Sequence, residues 1–307
     1  MNKKLSHYLL IVLIAIIVIP NIASVIFQGN NISNTLAFRT SERINEASGF
    51  KNKYKRSKEN KTRNENKISS RNEIVPPFVS VVNPNHNYPI GFFVADVGST
   101  EDVCTASVIN TANGNIGLTA AHCLFDENGN RYNLSLLSFS PGYDNGSNGP
   151  LGDIPVVDIA IPNDFLINRF KYDYALARFE FNDPNGGNAT LQDYTGALGW
   201  RFDIGNGEPT SVYGYPYSGN FEDCANDGEH LCKWQGITEK REIFYAINNI
   251  TAGEGLSGGP FISQYDTETN LGYAYALMRG YYSISNVSVG SIWDENVFFD
   301  ILLQITP

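Results

Sequence analysis

From about Phe78 onward the chain alternates short apolar runs with clusters of Gly, Asn, Pro and Asp. Runs of this length suit strands whose side chains point by turns to core and solvent, and the clusters between them suit turns. The pattern predicts strands near Ile90–Val97, Thr105–Val108, Ile116–Thr119, Leu134–Phe139, Tyr174–Phe181, Ser211–Tyr215, Ile243–Ala246, Phe261–Ser263 and Tyr273–Met278. No internal repeat and no long helical period accompany them, so the reading is an all-β sandwich or barrel. Only the stretch over 294–305 differs. There Asp294 suits a helix N-cap, and Val297, Phe298, Ile301, Leu302 and Ile305 fall on one apolar stripe.

Ahead of this region the pattern breaks twice. Lys3 and Lys4 precede an apolar run from Tyr8 to Ile19, followed by Pro20 and the small residues Ala23 and Ser24. That reads as an export signal over 1–24, because the run is shorter than the roughly 20 apolar residues a spanning helix needs. Continuation through Ile22 to Phe27 would make it an uncleaved anchor instead. Residues 25–73 carry eleven Lys/Arg against five Asp/Glu, with few apolar positions. A stretch of that composition cannot bury enough surface to offset its ordering entropy, and it reads as a disordered, basic pro-segment. Lys55-Arg56, Arg71 and the Glu73-Ile74-Val75 junction are its candidate cut sites.

Charge sharpens the division. The whole chain has a net charge of −10, yet residues 74–307 hold nine Lys/Arg against twenty-seven Asp/Glu. An acidic domain of this kind argues against nucleic acid as a partner. Either the basic segment merely precedes the acidic domain, or it contacts the domain electrostatically before removal. Four cysteines suit an oxidising compartment. None shows a C-x₂-C couple matched by a second couple, so no metal or other cofactor is expected. Seven Asn-x-Ser/Thr triplets begin at Asn31, Asn60, Asn133, Asn145, Asn188, Asn249 and Asn286, which marks a glycoprotein if the chain is exported through a glycosylating route. Asn249 stands close enough to Ser257 in sequence that it is expected to be bare.

Two phrases carry the chemistry: Leu118-Thr119-Ala120-Ala121-His122-Cys123, and Gly253-Glu254-Gly255-Leu256-Ser257-Gly258-Gly259-Pro260. A serine hydroxyl needs an imidazole to take its proton, and the imidazole needs a third group to fix its tautomer. Asp173, in Tyr172-Asp173-Tyr174-Ala175-Leu176, is the candidate acid; Asp158 is its rival, set in Val157-Asp158-Ile159-Ala160. The ordered phrases T-A-A-H-C and G-x-S-G-G-P resemble the chymotrypsin/trypsin-like serine peptidases from about residue 78 onward. The Asp173-Tyr174-Ala175-Leu176 and Gly214-Tyr215-Pro216 details resemble the microbial secreted branch related to glutamyl endopeptidases.

The resemblance implies two six-stranded Greek-key β-barrels, about 78–190 and 195–290, with a C-terminal helix packed on the second. It places His122 and Asp173 in the first barrel and Ser257 in the second. It implies Ser257 as nucleophile, His122 as general base and acid, Asp173 as its orienter, and the backbone N–H groups of Gly255 and Ser257 as the oxyanion hole. It implies a Cys104–Cys123 disulfide beside the histidine, which leaves Cys224 and Cys232 to close a small loop. By register, the primary pocket would have Thr251 at its base and Ala252, Gly253, Met278, Arg279 and Gly280 in its walls. No carboxylate stands at that base, Leu277 takes the place of the glutamyl endopeptidases' pocket histidine, and Arg279 either attracts an acidic side chain or faces solvent. Trypsin-like zymogens carry an aspartate at the position of Leu256, so activation here is expected not to bury a new ammonium there.

The function so implied is a secreted, extracellular serine endopeptidase, made as a precursor, monomeric, acting on protein or peptide substrates, and without stable membrane association once its signal is removed. A non-catalytic homologue serving as a binding protein is the alternative. An α/β-hydrolase is excluded by order, because its serine precedes its acid and histidine.

Overall fold

The computed structural model describes residues 73–98 and 100–306. The expected signal at 1–24 and, apart from Glu73, the expected pro-segment at 25–73 lie outside the described residues. After a two-residue strand, β1 (Ile74–Val75), the chain builds a first barrel from β2 (Ile90–Asp96), β3 (Glu101–Val108), β4 (Ile116–Thr119), β5 (Leu137–Pro141), β6 (Ile154–Ala160) and β7 (Ala175–Phe179). Their order around the barrel is β2-β3-β4-β7-β6-β5, antiparallel throughout and closed. Closure leaves no edge to pair with another chain. Phe93, Phe139, Ala177 and Phe179 point into the interior, with the rings of Phe139 and Phe179 stacked 4.5 Å apart. Gly117 leaves room for them, since a Cβ there would run into the Phe179 ring.

A short helix, α1 (Leu191–Thr195), leads to β8 (Gly199–Arg201) and then to β9 (Glu208–Gly214), β10 (Cys232–Lys240), β11 (Phe244–Asn248), β12 (Pro260–Asp266), β13 (Leu271–Tyr282) and β14 (Val287–Ile292). The last six close as a second antiparallel barrel, through β12-β9-β10-β11-β14 and back across β13. β8 lies parallel beside β13, and β1 is added antiparallel on its outer side, Ile74 opposite Arg201 and Val75 opposite Trp200. Two closed six-stranded barrels were expected and are found. Several strand boundaries differ by a few residues; at one of them Leu134–Leu136 forms a 3₁₀ turn capped by Asn133, and β5 starts only at Leu137.

The final helix, α2 (Glu295–Ile305), is N-capped by Asp294, whose carboxylate accepts from the N–H groups of Asn296 and Val297. It buries Phe298, Ile301 and Ile305, as the stripe predicts. Its expected seat on the second barrel is corrected by the structure: α2 packs on β6 and β7 of the first. The reason is aromatic. Phe298 stacks at 5.2 Å on Trp293 and lies 5.3 Å from Trp200, and the three join a core cluster that also holds Val156 and Ile159 of β6 and Leu176 of β7. No helix among the described residues is long and apolar enough to cross a membrane.

Candidate active site

β4 and β7 are neighbours, with Thr119 opposite Ala175. His122 follows that register point by three residues, in the 3₁₀ turn Ala121–Leu124, and Asp173 precedes it by two. The pairing therefore delivers both side chains to the same end of the first barrel. Asp173 Oδ1 accepts the backbone N–H of His122 at 2.9 Å, and Oδ2 lies 2.8 Å from His122 Nδ1. Holding both the main chain and the ring of one residue fixes the imidazole's orientation as well as its position. From the second barrel, Ser291 Oγ on β14 donates to the Asp173 carbonyl at 3.2 Å.

Asp173 is 4% exposed, whereas the His122 side chain keeps 39% of its surface open. Burial alone would push the Asp173 carboxyl up; the charge and hydrogen bonds of His122, with Arg279 behind them, hold it below its ordinary value. Among the described residues, neither His122 Nε2 nor Ser257 Oγ is engaged in a hydrogen bond. Asp158 is elsewhere: on β6 it faces Arg178 of β7 and pairs with its guanidinium at 3.3 Å, both side chains partly in solvent.

The serine turn is built by glycines and one threonine. Gly253, Gly255 and Gly258 have φ of 84°, 87° and 86°, a region that side chains with a Cβ avoid. A Cβ on Gly255 would collide with the Tyr215 carbonyl, and one on Gly258 with that of Thr105. Thr105, on β3 of the first barrel, binds the turn at two points. Its N–H donates to Ser257 O at 2.7 Å, and its hydroxyl donates to Gly255 O at 3.0 Å while accepting from Tyr215 N at 3.1 Å. Thr119 Oγ1 in turn donates to Thr105 O at 2.9 Å. Thr105 is wholly buried and was not singled out in the sequence; a polar residue inside an apolar run was its only signal. On the other side, Gly258 N donates to Met278 O and Met278 N to Gly259 O, which seats the turn on β13. The N–H groups of Gly255 and Ser257 donate to no main-chain acceptor among the described residues.

Cys104 and Cys123 form a disulfide between β3 and the His122 turn, and Cys224 and Cys232 form a second one. Cys123 Sγ lies 3.9 Å from Ser257 O, so the bridge, the histidine turn and the serine turn meet. The two sulfurs and a His122 nitrogen lie within 4.8 Å of one another. Thiolates are what bind zinc, and the bridge consumes both thiols.

Around the expected pocket, Thr251 N donates to Asn220 Oδ1 at 2.7 Å and Thr251 Oγ1 lies 3.1 Å from Asn286 Oδ1. Ala252 N donates to Ser288 Oγ at 2.8 Å. Residues 218–220 lie against this segment so closely that a Cβ on Gly253 would meet the Ser218 carbonyl. Arg279 does not face solvent: its side chain is 8% exposed, with Nε 3.9 Å from Asp173 Oδ2. Leu277 packs with the core shared by the first barrel and α2. Met278 packs beside Ala252 and Leu256. Nothing crowds Gly280, where an added Cβ would meet open space.

Two closed antiparallel barrels, with the histidine and aspartate on one and the glycine-flanked serine on the other, constitute the chymotrypsin-like fold of the serine proteases. Solved structures agree. A thermostable serine protease, AL20, from an extremophilic microorganism is similar at 24% identity over 72% of this chain and 98% of that one, with a TM-score of 0.59. Protease Anisep from Arthrobacter nicotinovorans is similar at 25% identity, over 71% and 94%, with a TM-score of 0.57. A Glu endopeptidase solved in complex with MPD is similar at 16% identity, over 76% and 98%, with a TM-score of 0.55. No protein-family model and no curated protein matches the sequence.

Proposed function

We propose that this chain is an exported serine endopeptidase that cleaves protein or peptide substrates through Ser257, His122 and Asp173. The observation that carries the reading is the double hold of Asp173 on His122, main chain and ring together, at the end of the barrel where Thr105 docks the Ser257 turn. With Nδ1–H donating to Asp173, Nε2 is the basic nitrogen. It takes the Ser257 proton as Oγ attacks the scissile carbonyl, then passes that proton to the leaving amine as the C–N bond breaks. Water, deprotonated by the same nitrogen, attacks the acyl-enzyme and frees Ser257. The unengaged N–H groups of Gly255 and Ser257 receive the oxyanion.

The precursor form is part of the proposal, with activation of a kind that does not use residue 256. Leu256 is wholly buried among apolar neighbours. Ile74, meanwhile, is half exposed and paired to Arg201 in a strand. Primary specificity in this reading is set by a pocket with Thr251 at its base, Ala252 and Gly253 in its walls, and no carboxylate at the base.

A fluorophosphonate probe on the purified protein, followed by peptide mapping, tests the reading. Modification confined to Ser257 and abolished in His122→Ala is expected. Folded protein that stays unlabelled points instead to a non-catalytic homologue.

A further inference from the structure

The pairing of β13 with β14 slips between Met278 and Gly280, which leaves Arg279 as the extra residue of a bulge. Bulges re-aim side chains. Leu277 and Met278 enter two different apolar clusters, while Arg279 turns toward Asp173. Its Nε stands 3.9 Å from Oδ2, and its Cζ lies 3.6 Å from the centroid of the Phe170 ring. The side chain is almost wholly buried, and Nε has no hydrogen-bond partner. A buried donor left unpaired is costly and calls for an explanation. An arginine serving only solubility or a surface ion pair would not be held in this way. The ring face of Phe170 fixes the plane of the guanidinium, a geometry arginine suits and which keeps the charge in place.

We propose that Arg279 is a positioning residue of the reaction, a fixed cation that shares the Asp173 carboxylate with His122 and keeps the imidazole able to accept a proton at lower pH. The inference rests on the serine-peptidase reading above and deepens it. Facing the Asp173 carboxylate are His122 and Arg279; facing the guanidinium are Asp173, Tyr282 and the Phe170 ring. With His122 neutral, Arg279 and Asp173 balance each other, and a proton on the imidazole leaves the buried cluster with one excess positive charge. Without Arg279 the balance reverses. The carboxylate then stands alone in a site that excludes water, and a proton on His122 is what neutralises it.

Arg279→Met and Arg279→Lys, produced from the full chain, test this with two readouts: the pH dependence of kcat/KM on a peptide substrate, and the NMR titration of the His122 ring. In Arg279→Met the acid limb and the ring signal are both expected to move up by about one to two pH units. That is the size of effect a unit charge about 6 Å away exerts at an effective dielectric constant of about 20. Arg279→Lys, which keeps the charge, is expected to restore most of the shift. Should Arg279→Met not fold, Arg279→Gln supplies a second neutral side chain. A folded neutral variant whose His122 ring titrates at the parental pH overturns the proposal. The ring titration reads out whether or not the parent reacts with a fluorophosphonate, so loss of the peptidase reading and loss of this one are told apart.

Discussion

Replacing Asp173 with asparagine changes one atom of the site and forces a definite rearrangement. The carboxylate accepts from two donors of His122, the main-chain N–H at 2.9 Å and Nδ1 at 2.8 Å. Asparagine has only one acceptor oxygen. The backbone N–H cannot become an acceptor, so it claims that oxygen, and the amide NH₂ is left facing Nδ1. Nδ1 must then accept, the ring proton moves to Nε2, and the nitrogen that should take the serine proton is already occupied. In triads of this type, that wrong tautomer costs about 10⁴ in turnover, equivalent to about 5.5 kcal/mol of transition-state stabilisation. The assay is kcat/KM on a peptide substrate, alongside the rate of fluorophosphonate labelling, measured well below the melting temperature because Arg279 also loses its counter-charge. Asp158→Asn is the control. It breaks only a partly exposed ion pair with Arg178, worth about 0–1 kcal/mol, and should leave kcat/KM unchanged. Asp173→Asn within tenfold of the parent, or a larger loss in Asp158→Asn, would refute the tautomer argument.

Acid should destabilise the protein partly through Asp173. Its folded value is depressed, so its contribution is complete above the ordinary value of 3.8 and disappears as pH falls through the lower folded value. Melting temperatures followed downward from pH 5 should therefore drop less steeply in Asp173→Asn than in the parent, and parallel curves would count against it. Extra residues fused ahead of Ile74 should leave full activity, because the strand they extend lies on the outer side of β8; an inactive fusion that is nonetheless folded would show that a free ammonium is needed. Thr105→Val keeps the shape but orphans the Gly255 carbonyl and the Tyr215 N–H. It should cost about 2–5 kcal/mol in urea unfolding and slow labelling at Ser257, whereas a loss under about 1 kcal/mol would demote Thr105 to filler.

What could be read from the chain, and what could not, divides along physical lines. β4 was legible end to end, because Ile116, Leu118 and their neighbours form a run bounded by turn residues and buried on all sides. β10, by contrast, buries only Cys232 and Thr238 and has Gly236 at its centre, so its pairing partner defines it more than its own pattern does. β14 is built from Ser and Gly as much as from Val and Ile, since Gly290 must clear the Phe261 ring. β6 carries Pro155 and Asp158 and has no clean alternation. At the site, the pairing of His122 with Asp173 and the glycine turn around Ser257 were legible because their local phrases encode turn geometry as well as chemistry. The direction of Arg279 was not, because it follows from a mismatch in strand pairing that no single segment contains. The seat of α2 was missed for the same kind of reason: its stripe was plain, but the aromatic partners that receive it, Trp200 and Trp293, come from two other parts of the chain.

That seat makes α2 a clasp. The helix follows directly on the last strand of one barrel and ends bound to the flank of the other, so separating the barrels would require peeling it from β6 and β7. Residues 295–305, which are synthesised after every group assigned to the reaction, thus contribute to holding the two barrels together. Phe298 and Ile301 thereby add an apolar hold to the hydrogen bonds that Thr105 and Ser291 already make from one barrel to the other.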